Sequence, residues 1–229
     1  MEWEVIYKWL PKFFQGALLT LELVGIAVIL GLLLAIPLGI ARSSKLWFVR
    51  AFPYAYIFFF RGTPLLVQLF LVYYGLAQFD AVRGSFMWQY LRDPFWCATA
   101  TMTLHTAAYI AEILRGAIQA IPPGEIEAAR ALGMSKAKAL FYIVLPRAAR
   151  IALPAYSNEV ILMLKASSLA STVTLLELTG ITRTIIARNY LTVDMFFTAG
   201  VIYLLMSFVL VQAFKQLERW LRVDACQGR

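Results

Sequence analysis

Glu127 to Pro146 reads E-A-A-R-A-L-G-M-S-K-A-K-A-L-F-Y-I-V-L-P, a basic, helix-forming stretch between two long segments too apolar to be soluble. Just before it, Pro122-Pro123 cannot continue a preceding helix, because neither nitrogen can donate to the turn behind it; Gly124 permits a tight reversal. Glu125 to Leu132 is rich in Glu, Ala, Arg and Leu, with its acids in the first turn and Gly133 as a stop, and this predicts a short helix. Ser135 is a suitable cap for a second, Ser135 to Phe141, running toward Leu145-Pro146 where the chain turns apolar again. Taken alone, the 122–146 insert is also compatible with an interfacial amphipathic hairpin that merely connects two spans.

The surrounding composition sets the class. Of 229 residues, 61% are hydrophobic and 15% charged, which leaves too little polar surface to cover a globule in water. An integral membrane protein is expected. The formal charge of +8 does not point to nucleic acid, since Lys and Arg fall in the short stretches between apolar runs, as they do in cytoplasmic loops. Five runs, at about 16–41, 53–77, 95–119, 149–172 and 195–217, reach the ~20 residues a bilayer demands. The first is too long for the apolar core of a signal peptide, about 7–15 residues, and reads as a retained helix. The whole chain, 1–229, is expected to form one transmembrane domain, an all-α bundle of five transmembrane helices.

Cation placement predicts orientation. With the 42–52 loop inside, Arg42, Lys45, Arg50, Arg115, Arg130, Lys136, Lys138, Arg147, Arg150, Lys215, Arg219, Arg222 and Arg229 are cytoplasmic. Lys8, Lys12, Arg83, Arg92, Arg183 and Arg188 are external, a bias of 13 to 6 that puts the N-terminus outside and the C-terminus inside. The external segments 78–94 and 173–194 are expected to be loops, with a short helix in the second. Cys97 and Cys226 fall near opposite faces, too far apart to bridge.

Glu127-Ala128-Ala129, Gly133, Ile143, Leu145 and Pro146 fit the signature E-A-A, x3, G, x9, I-x-L-P without departure. This EAA motif resembles that of permease subunits of ATP-binding-cassette (ABC) importers. Arg61-Gly62-Thr63-Pro64-Leu65, Tyr109 to Gly116 and Asn158 to Ser168 look like the polar amino acid branch, and Arg150 to Leu164 is similar to the M-type permeases of histidine, lysine, arginine and ornithine importers. The resemblance implies a type I importer (MetI-like) fold in a bacterial inner membrane. It makes Glu125, Glu127, Ala128, Ala129, Arg130 and Gly133 part of coupling helices seated in an ABC ATPase dimer. It also implies a second homologous permease chain, a periplasmic binding protein and an amino acid substrate, with basic cargo expected.

What is missing agrees with that division of labour. No G-x-x-x-x-G-K-[ST] occurs, so this chain has no P-loop and ATP falls to a partner. No Cys or His cluster suggests a metal, and no nucleophile elbow suggests an enzyme. No catalysis and no cofactor are expected in this chain. The alternatives are a self-sufficient secondary carrier, which would lead one to expect repeated halves, and a permease for a non-basic polar amino acid.

Ionisable residues inside spans cost about 2.5–3.5 kcal/mol each at the midplane even on the lenient insertion scale, so they mark sites. At ~1.5 Å per residue, Arg61 and Glu159 lie about 12 and 14 Å from the inner surface and His105 about 15 Å from the outer one, in one central layer. Glu159, aided by Asn158, either meets a substrate cation or pairs with Arg61. Pro64 leaves the Phe60 carbonyl without its donor and should bend the helix beside Arg61, with Thr63 and Gln68 on the same face. His105 is a path candidate or a satisfied core residue. Glu22 and Lys165 are candidate partners in an outer layer, and Glu112 and Arg115, three apart, a pair closing the inner end. The aromatics Tyr56, Phe58, Phe59, Phe60, Tyr73 and Tyr74 are expected mostly toward lipid.

Overall fold

The computed structural model describes residues 2–221. Cys226, Arg222 and Arg229, used above for the cysteine and charge readings, lie outside the described residues.

Helix α1 (Trp3–Arg42) begins well before the expected residue 16. At 1.5 Å per residue it is about 60 Å long, twice the hydrocarbon core of a bilayer. Its N-terminal half packs instead on the helix Leu178–Asn189, formed within the 173–194 segment: Ile6 and Phe13 share a core with Leu178, Ile185, Met195 and Ala199.

The second expected span is broken. Pro64 forces Thr63 out of the helical region, to φ −116° and ψ 142°, as proline does to the residue before it. Helices α2 (Trp47–Gly62) and α3 (Leu65–Phe70) therefore meet at 102°, far more than a kink. The 78–94 segment that follows holds single turns at Asp80–Arg83 and Trp88–Leu91.

Helix α4 (Pro94–Gln119) starts on an Asp93 cap, whose side chain accepts from the Phe95 N–H at 2.8 Å, with Pro94 at the first helical position. It is the central helix. Its Ala98, Met102, Ala107, Ala108 and Ala111 are fully buried, and α1 lies along it so closely that a Cβ on Gly31 would stand 2.3 Å from the Thr106 methyl. By length and mean hydropathy, α1, the Lys136–Val173 run and the last helix are each apolar enough to cross a membrane, and the α2–α3 pair makes a fourth. The Thr- and Ala-rich α4 lies outside that set because its neighbours are protein, so it needs less apolar surface than a lipid-facing helix.

The insert forms α5 (Pro123–Ala131) and the single turn α6 (Lys136–Ala139), separated by Gly133 at φ +76°, a left-handed conformation suited to glycine. Ser135 caps α6 as its sequence suggests, accepting from the Lys138 N–H at 3.3 Å. The second helix stops earlier than expected, since Leu140–Val144 widens into a π turn that feeds α7 (Leu145–Ala166). Leu114, Ala117 and Ile121 of the α4 end pack with Val144 and Ala148, and Ile126 and Leu140 of the insert close over them.

Beyond α7 the chain tightens into a 3-10 turn, Ser167–Val173. The Ser167, Ser168, Ser171 and Thr172 hydroxyls each donate to the carbonyl three residues back, so these small residues shape the backbone as well as packing. Helix α8 (Leu178–Asn189) follows, then α9 (Thr192–Leu221), whose Leu204, Phe208 and Val209 are exposed. Helices α1, α4, α7 and α9 and the broken α2–α3 pair overlap the five expected apolar runs.

Candidate substrate path and coupling surface

The break at Pro64 is closed by one side chain. Gln68, only 3% exposed, donates from Nε2 to the Phe60 carbonyl at 2.9 Å, the Thr63 carbonyl at 3.0 Å and Thr63 Oγ1 at 2.7 Å. The carbonyl orphaned by proline thereby finds a donor, as a chain buried away from water requires. Across to α4, Gln68 Oε1 lies 3.0 Å from His105 Nδ1. His105 packs tilted against Tyr109, ring centroids 4.9 Å apart, and the Arg61 guanidinium sits 5.2 Å from the Tyr109 ring centre. Four of the expected path residues, Arg61, Thr63, Gln68 and His105, are thus linked in one chain of contacts.

Glu159 comes from α7 to the same stretch of α4. It is 6% exposed and accepts from Thr106 Oγ1 at 3.2 Å. No ion pair joins it to Arg61 among the described residues, so the expected alternative of a structural Arg61–Glu159 bridge is not formed. Asn158 beside it is exposed.

Toward the C-terminal end of α4 the Glu112–Arg115 pair forms, with Arg115 also donating to Gln119 at 2.7 Å. Arg42 covers the Tyr54 ring at 4.9 Å, and Arg42, Tyr54, Arg61 and Glu112 line an open pocket of about 300 Å³. Glu22 and Lys165 are both exposed and make no ion pair among the described residues; counting along straight helices put them at one level but says nothing of azimuth.

Two buried polar contacts had not been anticipated. Glu177, fully buried, caps α8 by accepting from the Thr179 and Gly180 N–H groups, both at 2.9 Å, and accepts from the Tyr203 hydroxyl at 2.8 Å. Burial pushes this carboxyl above its ordinary value, against the hydrogen bonds that pull it down. The signal was present in Leu176-Glu177-Leu178-Thr179-Gly180, an acid just ahead of a helix start. Tyr56, expected toward lipid, instead donates to the Leu104 carbonyl at 2.6 Å, and Tyr73 packs against the main core.

On the insert, Ala129 and Ala139 are buried while Ala128, Arg130 and Leu132 face outward, Leu132 at 84% exposure. Glu125 lies 3.5 Å from Arg147 at the start of α7, and Glu127 is exposed. Phe141 and Tyr142 of the same insert are exposed as well.

Comparison with known proteins agrees with this geometry. The octopine transport system permease protein OccM of Rhizobium radiobacter is 51% identical over 204 residues, 89% of this chain and 83% of OccM. The histidine/lysine/arginine/ornithine transport system permease protein HisM of Escherichia coli K12 is 44% identical over 211 residues, 91% of this chain and 89% of HisM. A chain in the crystal structure of an amino acid ABC transporter with histidines superposes with a TM-score of 0.85 at 33% identity, over 96% of this chain and 98% of that one. Residues 27–223 match the family described as "Binding-protein-dependent transport system inner membrane component". The chain belongs to that family, as a multi-pass inner-membrane permease with the type I importer fold.

Proposed function

We propose that this chain is the permease subunit of an ATP-driven importer of amino acids carrying a basic group, and that it forms half of the translocation pore. One observation carries the cargo assignment. Glu159 is a carboxylate buried at mid-span depth that accepts from a hydroxyl and forms no ion pair among the described residues. An unpaired buried charge is costly, and a cationic cargo offsets that cost during passage. The names of the relatives support the same reading, since histidine, lysine, arginine and ornithine all bear basic side chains.

Arg61, 5.2 Å from the Tyr109 ring centre, is the group suited to a cargo carboxylate, and Asn158 is placed to assist. The five long helical stretches span the membrane with the N-terminus periplasmic and the C-terminus cytoplasmic, as the cation bias supports. Coupling runs through 122–146: Glu125, Glu127, Ala128, Ala129, Arg130 and Gly133 belong to a helix pair that docks in an ABC ATPase dimer. ATP is bound and hydrolysed there, and this chain is not itself an enzyme. A second homologous permease completes the pore, and a periplasmic binding protein delivers the cargo.

The test is uptake of arginine, ornithine, histidine and octopine in proteoliposomes containing this chain alone, with the ATPase, and with the full set of partners. Uptake is expected with the full set only. Uptake without the ATPase would make the chain a secondary carrier, and full activity without the second permease would make the pore a homodimer.

A further inference from the structure

The Gln68 amide cannot be turned around. Its nitrogen faces the Phe60 and Thr63 carbonyls, which only accept, so the Nε2 end must lie there and Oε1 must face His105 Nδ1 at 3.0 Å. A carbonyl oxygen has no proton to give. The hydrogen at that contact therefore sits on Nδ1, and in a neutral ring the Nε2 lone pair is left without a proton. Both His105 and the Arg61 guanidinium contact the Tyr109 ring. His105 is half-buried, and its Nε2 makes no hydrogen bond among the described residues. Its chain neighbour Thr106 donates to Glu159, so the imidazole and the carboxylate are attached at the same level of α4.

We propose that Gln68 locks His105 in the Nδ1–H tautomer so that Nε2 accepts an N–H from the cationic group of the cargo. This rests on the function proposed above, and it makes the broken span a selectivity device: the residue that repairs the break also sets what the imidazole offers. The recognised chemistry is an ammonium or guanidinium donor. A cargo whose side chain lacks an N–H gains nothing from this nitrogen.

His105 is the only histidine in the chain, so its ring nitrogens can be read without assignment. The complete transporter is assembled with 15N-histidine in this chain alone, and the imidazole nitrogens are observed by solid-state NMR. A protonated Nδ1 with an unprotonated Nε2 is expected, and in Gln68→Leu the preference should vanish. A protonated Nε2 in the unaltered protein would overturn the lock. Arginine added to the assembly should shift the Nε2 resonance, and an unmoved resonance under saturating arginine would overturn the cargo contact.

Uptake separates the two halves of the idea. His105→Asn keeps a donor for Gln68 but loses the outer acceptor, and should raise KM for arginine by on the order of tenfold with kcat preserved. His105→Gln keeps an acceptor at the outer position and should recover part of that loss. Equal KM in Asn and wild type would overturn the cargo role. Failure of the unaltered assembly to take up any of the four cargoes would overturn the function itself, while the tautomer is decided by the spectrum alone.

Discussion

Replacing Glu177 tests whether the buried carboxylate holds the outer layer of α1, α8 and α9 together. Leucine there removes the cap on the Thr179 and Gly180 N–H groups, a loss of about 1 kcal/mol. It also removes the acceptor of Tyr203, which keeps Thr179 Oγ1 at 3.0 Å, so about 1 kcal/mol more is lost rather than a full desolvation penalty. The sum, about 2 kcal/mol, converts at roughly 2–4 °C per kcal/mol to a fall of roughly 4–8 °C in Tm. Cys97 is fully buried, so its reaction with a thiol-sensitive dye in detergent, in a Cys226→Ser background, reports the melt. Glu177→Gln keeps one acceptor and should cost less. The pH dependence has a definite sign: a carboxyl raised above its ordinary 4.5 by burial contributes stability below about pH 4.5 that is lost as pH rises through the folded value. The wild-type Tm should therefore fall relative to that of Glu177→Gln across this window. A Glu177→Leu melt within 1 °C of wild type would show that the cap and the Tyr203 contact hold nothing.

Leu132→Asp alters an 84% exposed side chain, so it should leave the melt unchanged while abolishing cargo-stimulated ATP hydrolysis in the assembled transporter; unaltered stimulation would remove Leu132 from the docking surface. Glu159→Gln should lower arginine uptake at least tenfold by removing the charge that meets the cargo, and wild-type uptake of both arginine and histidine would end the substrate role of Glu159. Gly31→Leu places a side chain where even a Cβ stands 2.3 Å from Thr106, and overpacking of this kind costs about 1–3 kcal/mol. A lower yield of folded protein and a lower dye-monitored melt are expected, and a melt equal to wild type would mean that α1 and α4 are not packed as described.

The helices were legible because apolar runs and proline positions act locally. Pro122-Pro123, Gly133 and Ser135 each did what their backbone chemistry dictates, and the insert appeared close to its expected bounds. The size of the α2–α3 break was not legible: Pro64 fixes the residue before it, but the 102° turn also needs Gln68 to receive the freed carbonyls, a contact three-dimensional in origin. Axial depth at 1.5 Å per residue grouped Arg61, Glu159 and His105, and in the structure Arg61 and His105 meet the same Tyr109 ring while Glu159 meets Thr106, the residue after His105. Azimuth did not follow, and so Glu22 and Lys165 were matched across a distance that the bundle does not close. Tyr56 was misread for the same reason, since its hydroxyl reaches Leu104 only once α2 is laid on α4.

The coupling proposal makes a mechanical demand on α4. The insert is clamped to its inner end through Leu114, Ala117 and Ile121, and His105 lies about 24 Å up the same helix axis from Ile121 at 1.5 Å per residue. Helices α1, α2 and α7 all carry an interior proline, whereas α4 has proline only at its first position. An uninterrupted helix transmits displacement, and a broken one absorbs it. Ala117→Pro, which removes the bond to the Ile113 carbonyl at a cost of about 3 kcal/mol, should therefore leave the ATPase bound to the membrane subunits yet hydrolysing ATP without uptake. If the variant assembles and still moves arginine at the wild-type ratio of cargo to ATP, force reaches the His105 layer by another route, and α7, which also leaves the insert and carries Glu159, becomes the element to break next.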